Sequence, residues 1–178
     1  MRDYYLLIDD DRISRKIRPQ GLPHDLAFDR LPPISLLDIN EDNSGMGDYV
    51  DWLDKPRRMV SDRMKAILEQ YNPALSVKRT DLIDRKNNKH NVYWVLQVPE
   101  LECLSPESEF HRNGTVKRLV LDHKRVKEHH FFAIAGIMEP YIVVSLEAAE
   151  SLLRRGLTGF MLRKAEQWDG GRDDGTLG

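Results

Sequence analysis

The stretch YIVVSLEAAESLLRRGLTGFML, residues 141–162, reads as a strand, a helix and a second strand. Residues 141–144 are aromatic and β-branched, which is typical of a strand. Ser145 is a residue type that caps helices, because its hydroxyl accepts a hydrogen bond from a free backbone N–H. Gly156 stands where a left-handed residue commonly ends a helix. Apolar residues recur between them at helical spacing, and we expect them to face the core: Leu146, Ala149, Leu152 and Leu153.

A similar arrangement occurs earlier, where Met59-Val60-Ser61 leads into a second amphipathic segment that Asn72-Pro73 ends. Between these two units, runs of β-branched and aromatic residues predict strands, of which residues 92–98 are the clearest. Residues 4–8 predict a first strand. The pattern predicts an α+β fold with a mostly antiparallel or mixed sheet and two main helices packed on it.

Three regions differ in composition and charge. Residues 1–54 carry 12 acidic and 6 basic side chains and are interrupted by proline and glycine, which predicts an irregular acidic N-terminal lobe. Residues 55–168 contain the periodic segments and predict the α+β core domain. Residues 169–178 have no core-forming pattern and predict a flexible tail.

Length and composition favour one soluble core. The chain has 178 residues, of which 40% are hydrophobic and 31% charged, and this balance suits a globular protein. No window reaches the roughly 20 apolar residues of a membrane helix. The single cysteine, Cys103, cannot form an internal disulfide. We therefore expect a cytoplasmic protein without a membrane segment.

No catalytic or metal motif is complete. Residues 38–49 place oxygen ligands at the first positions of a calcium loop, but Asn43 and Tyr49 stand where glycine and glutamate are required. The residues Cys103, His123, His129 and His130 lack the spacing of a zinc site, and Asp9-Asp10-Asp11 has no phosphate-binding glycine loop beside it. We expect no enzyme activity and no cofactor, although a hydrolase site assembled from dispersed residues is an alternative.

A basic stretch lies between residues 78 and 90. It could follow a phosphate backbone, so an accessory protein that binds nucleic acid is a second alternative. The competing interpretation is a solvated hairpin turn, which we favour because the sequence pI is near 6.3. Its members are Lys78, Arg79, Arg85, Lys86, Lys89 and His90.

About two thirds of the chain resembles the immunity protein 11 family of bacterial polymorphic toxin systems. Four stretches carry the resemblance: Val60–Met64 with Leu68; Tyr93–Leu96 followed by Leu101 and Leu104; Leu119–Asp122 with Phe131-Phe132; and Val143–Ser145 through Gly156-Leu157-Thr158-Gly159-Phe160. The resemblance implies a cytoplasmic antidote that binds and neutralises a cognate toxin effector, commonly a nuclease-like one.

The acidic segment before residue 55 is the predicted place of toxin contact. A toxin that cleaves nucleic acid is commonly basic, so an acidic surface would speed association, and an aromatic side chain could anchor the contact. The predicted toxin-binding residues are Asp48, Asp51, Trp52 and Asp54. The alternative is that Trp52 and Leu53 belong to the core and that the acidic side chains are only solvated.

Overall fold

A computed structural model describes residues 1–39 and 47–171 of the chain. Its strands are β1 (Tyr4–Asp9), β2 (Pro19–Gln20), β3 (Ile34–Ile39), β4 (Trp52–Leu53), β5 (Met59–Ser61), β6 (Ser76–Asp84), β7 (Lys89–Gln97), β8 (Glu100–Leu101), β9 (Glu109–Phe110), β10 (Val116–Arg118), β11 (Val120–Asp122), β12 (Phe131–Ile134), β13 (Ile142–Ser145), β14 (Phe160–Lys164) and β15 (Glu166–Trp168). Its α-helices are α1 (Asp62–Tyr71), α2 (His123–Val126) and α3 (Leu146–Arg154), and Phe28–Arg30 form a 3-10 turn.

Two main sheets form where the sequence predicts one. The first sheet has the strand order β14-β1-β13-β12-β8, and the second has the order β2-β3-β6-β7-β5-β4. Most neighbouring strands are antiparallel, but β8 with β12 and β3 with β6 are parallel. The α+β class with mostly antiparallel, mixed sheets is therefore confirmed, and α1 and α3 are its two main helices.

The two serine-capped units share one topology. Strand β5 continues through α1 to β6, and both strands pair antiparallel with β7 between them. In the same way β13 continues through α3 to β14, and both strands pair antiparallel with β1. Ser61 and Ser145 cap their helices by accepting hydrogen bonds at 3.2 Å from the N–H groups of Met64 and Ala148. The fold thus contains two split β-α-β units.

The main core lies where helices α1 and α3 contact each other between the two sheets. Helix α1 buries Met64, Ile67 and Leu68 there, and α3 buries Ala148, Ala149 and Leu152. Leu153 is 59% exposed and Leu146 37%, so the prediction that these two leucines face the core is wrong. The apolar stripe of α3 instead runs through its two alanines and Leu152.

Two further cores cover the outer faces of the sheets. On the second sheet, side chains of residues 17–31 pack against Leu37, Leu82 and Tyr93. On the first sheet, Cys103, Leu121 and Val126 pack against Tyr4 and Phe132. Each sheet is therefore buried on both faces over part of its width.

The N-terminal residues belong to both sheets. Strand β1 lies between β13 and β14, and β3 pairs with β6, so a separate irregular lobe over residues 1–54 is not confirmed. Of the predicted flexible tail at 169–178, residues 172–178 lie outside the described residues. Over the described ranges, every helix is too short or too polar to cross a membrane.

Candidate functional site

A buried carboxylate joins the two split units. Asp51 is 7% exposed, and its Oδ1 accepts a hydrogen bond at 2.6 Å from the hydroxyl of Ser61, the cap of α1. Its Oδ2 accepts one at 2.9 Å from the N–H of Thr158, in the loop between α3 and β14. Arg63 approaches the same oxygen at 3.4 Å. We call these four residues the Asp51 network. It connects the start of α1 to the loop between α3 and β14.

The loop that follows α3 fits closely against β4. The carbonyl of Thr158 accepts hydrogen bonds from the N–H groups of Asp51 and Trp52 at 3.0 and 3.1 Å. Gly159 has a φ of +101°, and a Cβ atom there would lie 2.4 Å from the carbonyl oxygen of Trp52. Only glycine fits this position without moving the strand. The Gly-Leu-Thr-Gly stretch is thus a structural contact.

The predicted toxin-binding residues separate into two pairs. Trp52 is 1% exposed and Asp51 is 7% exposed, so neither side chain is available at the surface, and Trp52 cannot be an exposed anchor. The part of the alternative interpretation that places Trp52 and Leu53 in the core is confirmed, but its other part, that the acidic side chains are only solvated, is wrong for the buried Asp51. Asp48 is exposed and Asp54 half-buried, and toxin contact by these two carboxylates stays a prediction.

A cleft of about 310 Å³ lies beside Asp54 and has Asp9, Asp11, Lys16 and Lys55 among its lining residues. Lys16 pairs with Asp9 at 2.7 Å, and the main chain around Lys16 forms a β-bridge with that of Asp48. The cleft therefore combines carboxylates with ammonium groups. The carboxylates of Asp9, Asp11 and Asp54 are balanced there by Lys16, Arg18 and Lys55, and a mixed surface of this kind can take part in charged contacts between proteins.

The other candidate groups have structural partners. Cys103 is fully buried, and desolvation raises the pKa of its thiol to about 12, which makes it a poor nucleophile. The Arg12 guanidinium donates two hydrogen bonds to Asp10 and holds the pKa of that carboxyl below its ordinary value. Among residues 1–39 and 47–171, no cluster of three or more His, Cys, Asp or Glu side chains could hold a metal ion. Residues 40–46 of the possible calcium loop lie outside the described residues.

The basic stretch lies on the β6–β7 hairpin, and several of its side chains have partners within the protein. The ammonium of Lys78 donates to the carbonyls of Phe28 and Leu31 at 2.7 and 2.6 Å. Arg79 and Asp81 form an ion pair at 3.0 Å. These contacts favour the hairpin interpretation over a continuous track for a phosphate backbone.

Strand β3 is an element that the sequence reasoning missed. Ile34 and Leu36 lie on it with 58% and 73% exposure. Leu37 is 5% exposed and packs into the core on the second sheet. The signal was present in the apolar run that follows Pro32-Pro33. The prolines directed the interpretation toward an irregular segment, although the run after them is long enough for a strand.

The comparisons with known proteins define the class of this chain. The model of the immunity protein family Imm11 matches residues 4–167 of the 178. The chain therefore belongs to the Imm11 immunity protein family. The match includes β1, β3 and both split units. The comparison with curated proteins gives no match.

Proposed function

We propose that this chain neutralises a cognate bacterial toxin effector by stoichiometric protein–protein binding in the cytoplasm. The family match over residues 4–167 is the observation that carries the proposal. The chemistry of the candidate groups agrees with binding rather than catalysis, since the buried thiol and the buried carboxylates Asp10 and Asp51 are engaged in packing or in hydrogen bonds. The inhibitor needs no cofactor, and a nuclease-like toxin is the partner class that we favour.

Co-expression tests this function directly. The chain is produced with and without the product of the adjacent toxin gene, and growth is measured together with recovery of a complex. We expect protection from the toxin and a complex of fixed stoichiometry. Continued toxicity together with separate elution of the two proteins would refute the proposal.

We propose Asp48 and Asp54, which lie near the cleft, as part of the toxin-facing surface. Asp48→Lys and Asp54→Asn each reduce negative charge near the cleft and should slow association with a basic toxin, more strongly at low salt. Glu107→Lys is the matched control, because Glu107 is also exposed but lies in the segment that covers the first sheet. Equal association rates for all three variants across salt concentrations would remove these residues from the contact surface.

A further inference from the structure

The outer edge of β3 is open over the first four of its six residues. β3 pairs with β6 from Ile34 to Asp38, but β2 reaches only Asp38 and Ile39 on the opposite side. Within the described part of the chain, Ile34–Leu37 therefore have no strand on the side away from β6. Such an edge offers main-chain donors and acceptors to another extended segment.

The register identifies which groups are free. The N–H of Arg79 donates to the carbonyl of Pro33 at 3.2 Å, and bonding groups along a parallel strand alternate in direction. Ser35 and Leu37 therefore direct their main-chain groups toward β6. Ile34 and Leu36 direct theirs toward the open side, as Asp38 does where it meets Gln20 of β2.

The side chains around this edge indicate the kind of partner. Ile34 and Leu36 are the exposed apolar residues of β3. The charged side chains on the same face are paired, Arg79 with Asp81 at 3.0 Å and Arg85 with Asp38 at 3.1 Å. This compensated charge suits a neutral, partly apolar polypeptide better than a polyanion, which gains affinity from unpaired basic groups.

We propose that the edge of β3 from Ile34 to Leu37 binds an extended segment of the toxin, which adds to the second sheet as a further strand. Main-chain hydrogen bonds to Ile34 and Leu36 would supply affinity, and the side chains of the toxin segment that lie beside these two residues would be apolar. Pro33 and β2 border the open edge, so the added strand is short. This inference rests on the proposed function and names the surface that performs it.

A proline scan of adjacent positions tests the proposal. Leu36→Pro removes an outward N–H while leaving the β6 ladder intact, because proline is tolerated on an edge strand where its nitrogen faces outward. Leu36→Ala keeps the N–H and removes the exposed side chain. Ser35→Pro is the structural control, because it removes an N–H that pairs with β6 and should lower the melting temperature. Affinity for the purified product of the adjacent toxin gene is measured for each variant that melts like the wild type.

We expect Leu36→Pro to weaken toxin binding by about tenfold or more, since a lost hydrogen bond and a blocked edge act together. Leu36→Ala should weaken it less. In the wild-type complex, hydrogen exchange at the amides of Ile34 and Leu36 should slow. Unchanged affinity of Leu36→Pro, or unchanged exchange at both amides, would overturn the β3 site while leaving the immunity function intact.

Two other results have different meanings. Failure of the wild-type chain to bind the toxin would refute the proposed function itself. Concentration-dependent dimerisation of the free chain that Leu36→Pro abolishes would assign the edge to a second copy of this chain, and the toxin proposal would then be wrong. Analytical ultracentrifugation of both proteins without toxin distinguishes this case.

Discussion

Replacement of Asp51 by alanine should destabilise the fold strongly, even though the residue lies in a stretch of sequence rich in acidic residues. The substitution removes two short hydrogen bonds, from Ser61 at 2.6 Å and from Thr158 at 2.9 Å. It also leaves the buried donor groups without an acceptor. Both donors are uncharged, and a buried donor left without an acceptor costs about 1–3 kcal/mol.

Arg63 adds little to this sum. Its Nη2 atom is 3.4 Å from the carboxylate and its side chain is 65% exposed, so the ion pair contributes at most about 1 kcal/mol. The two stranded donors together set the expected loss for Asp51→Ala at about 2–6 kcal/mol. Against a typical total of about 5–15 kcal/mol, the variant should fold marginally or populate unfolded chains.

Urea unfolding followed by the fluorescence of the tryptophans, one of which is the buried Trp52, measures this loss. Asp51→Asn keeps an acceptor oxygen and should lose about half as much as the alanine variant. Asp48→Ala is the matched control, since it removes the same charge from an exposed position and should change stability by less than about 0.5 kcal/mol. A loss below about 1 kcal/mol for Asp51→Ala, at an unchanged denaturant slope, would refute the structural role of the Asp51 network.

Three further perturbations follow from the same geometry. Gly159→Ala should lower the free energy of unfolding in urea by more than about 3 kcal/mol, because its φ is +101° and its Cβ would lie 2.4 Å from a carbonyl oxygen. Gly156→Ala is the control: it lies in open space at φ +64° and should lower that free energy by about 1 kcal/mol. Cys103, with its pKa raised to about 12, should resist a thiol reagent at pH 8 until denaturant is added; rapid labelling of the native chain would contradict this. Hydrogen bonds from Arg79, and secondarily from His90, lower the pKa of Asp81. The ionised Asp81 should therefore stabilise the fold at any pH above its ordinary pKa, and this stabilisation should disappear as the pH falls through the lowered pKa. The stability difference between wild type and Asp81→Asn should therefore shrink in acid, and a difference that stays constant would be the contrary result.

Local signals predicted the two serine-capped helices because caps, apolar spacing and stop residues are set by neighbours in the sequence. The structure confirms Ser61 and Ser145 as N-caps and Gly156 with a positive φ after α3. Ser145 is also fully buried, and its hydroxyl lies 2.8 Å from Nδ1 of His130. That contact required tertiary structure and could not be read from spacing.

The site was harder to predict because its contacts are distant in sequence. Asp51 and Thr158 are 107 residues apart in the sequence. The residues around Asp51 therefore do not distinguish an exposed carboxylate from one that accepts buried hydrogen bonds. The edge of β3 was missed for a related reason. Its open side depends on how far β2 extends, and a two-residue strand that begins at Pro19 has almost no periodic signal.

The stretch Gly156–Phe160, which carries part of the family resemblance, and the residues proposed to meet the toxin occupy different parts of the molecule. Thr158 and Gly159 lie against Asp51 and Trp52 in the interior, where a change disturbs the fold before it can alter a partner. Ile34 and Leu36 lie at an open edge, where side chains can change at little cost to the core. A substitution at this edge can therefore change a partner contact while the two split β-α-β units stay fixed by buried hydrogen bonds. The family match over residues 4–167 includes both places, so the proposed toxin contact is best tested at the exposed edge, where the fold is disturbed least.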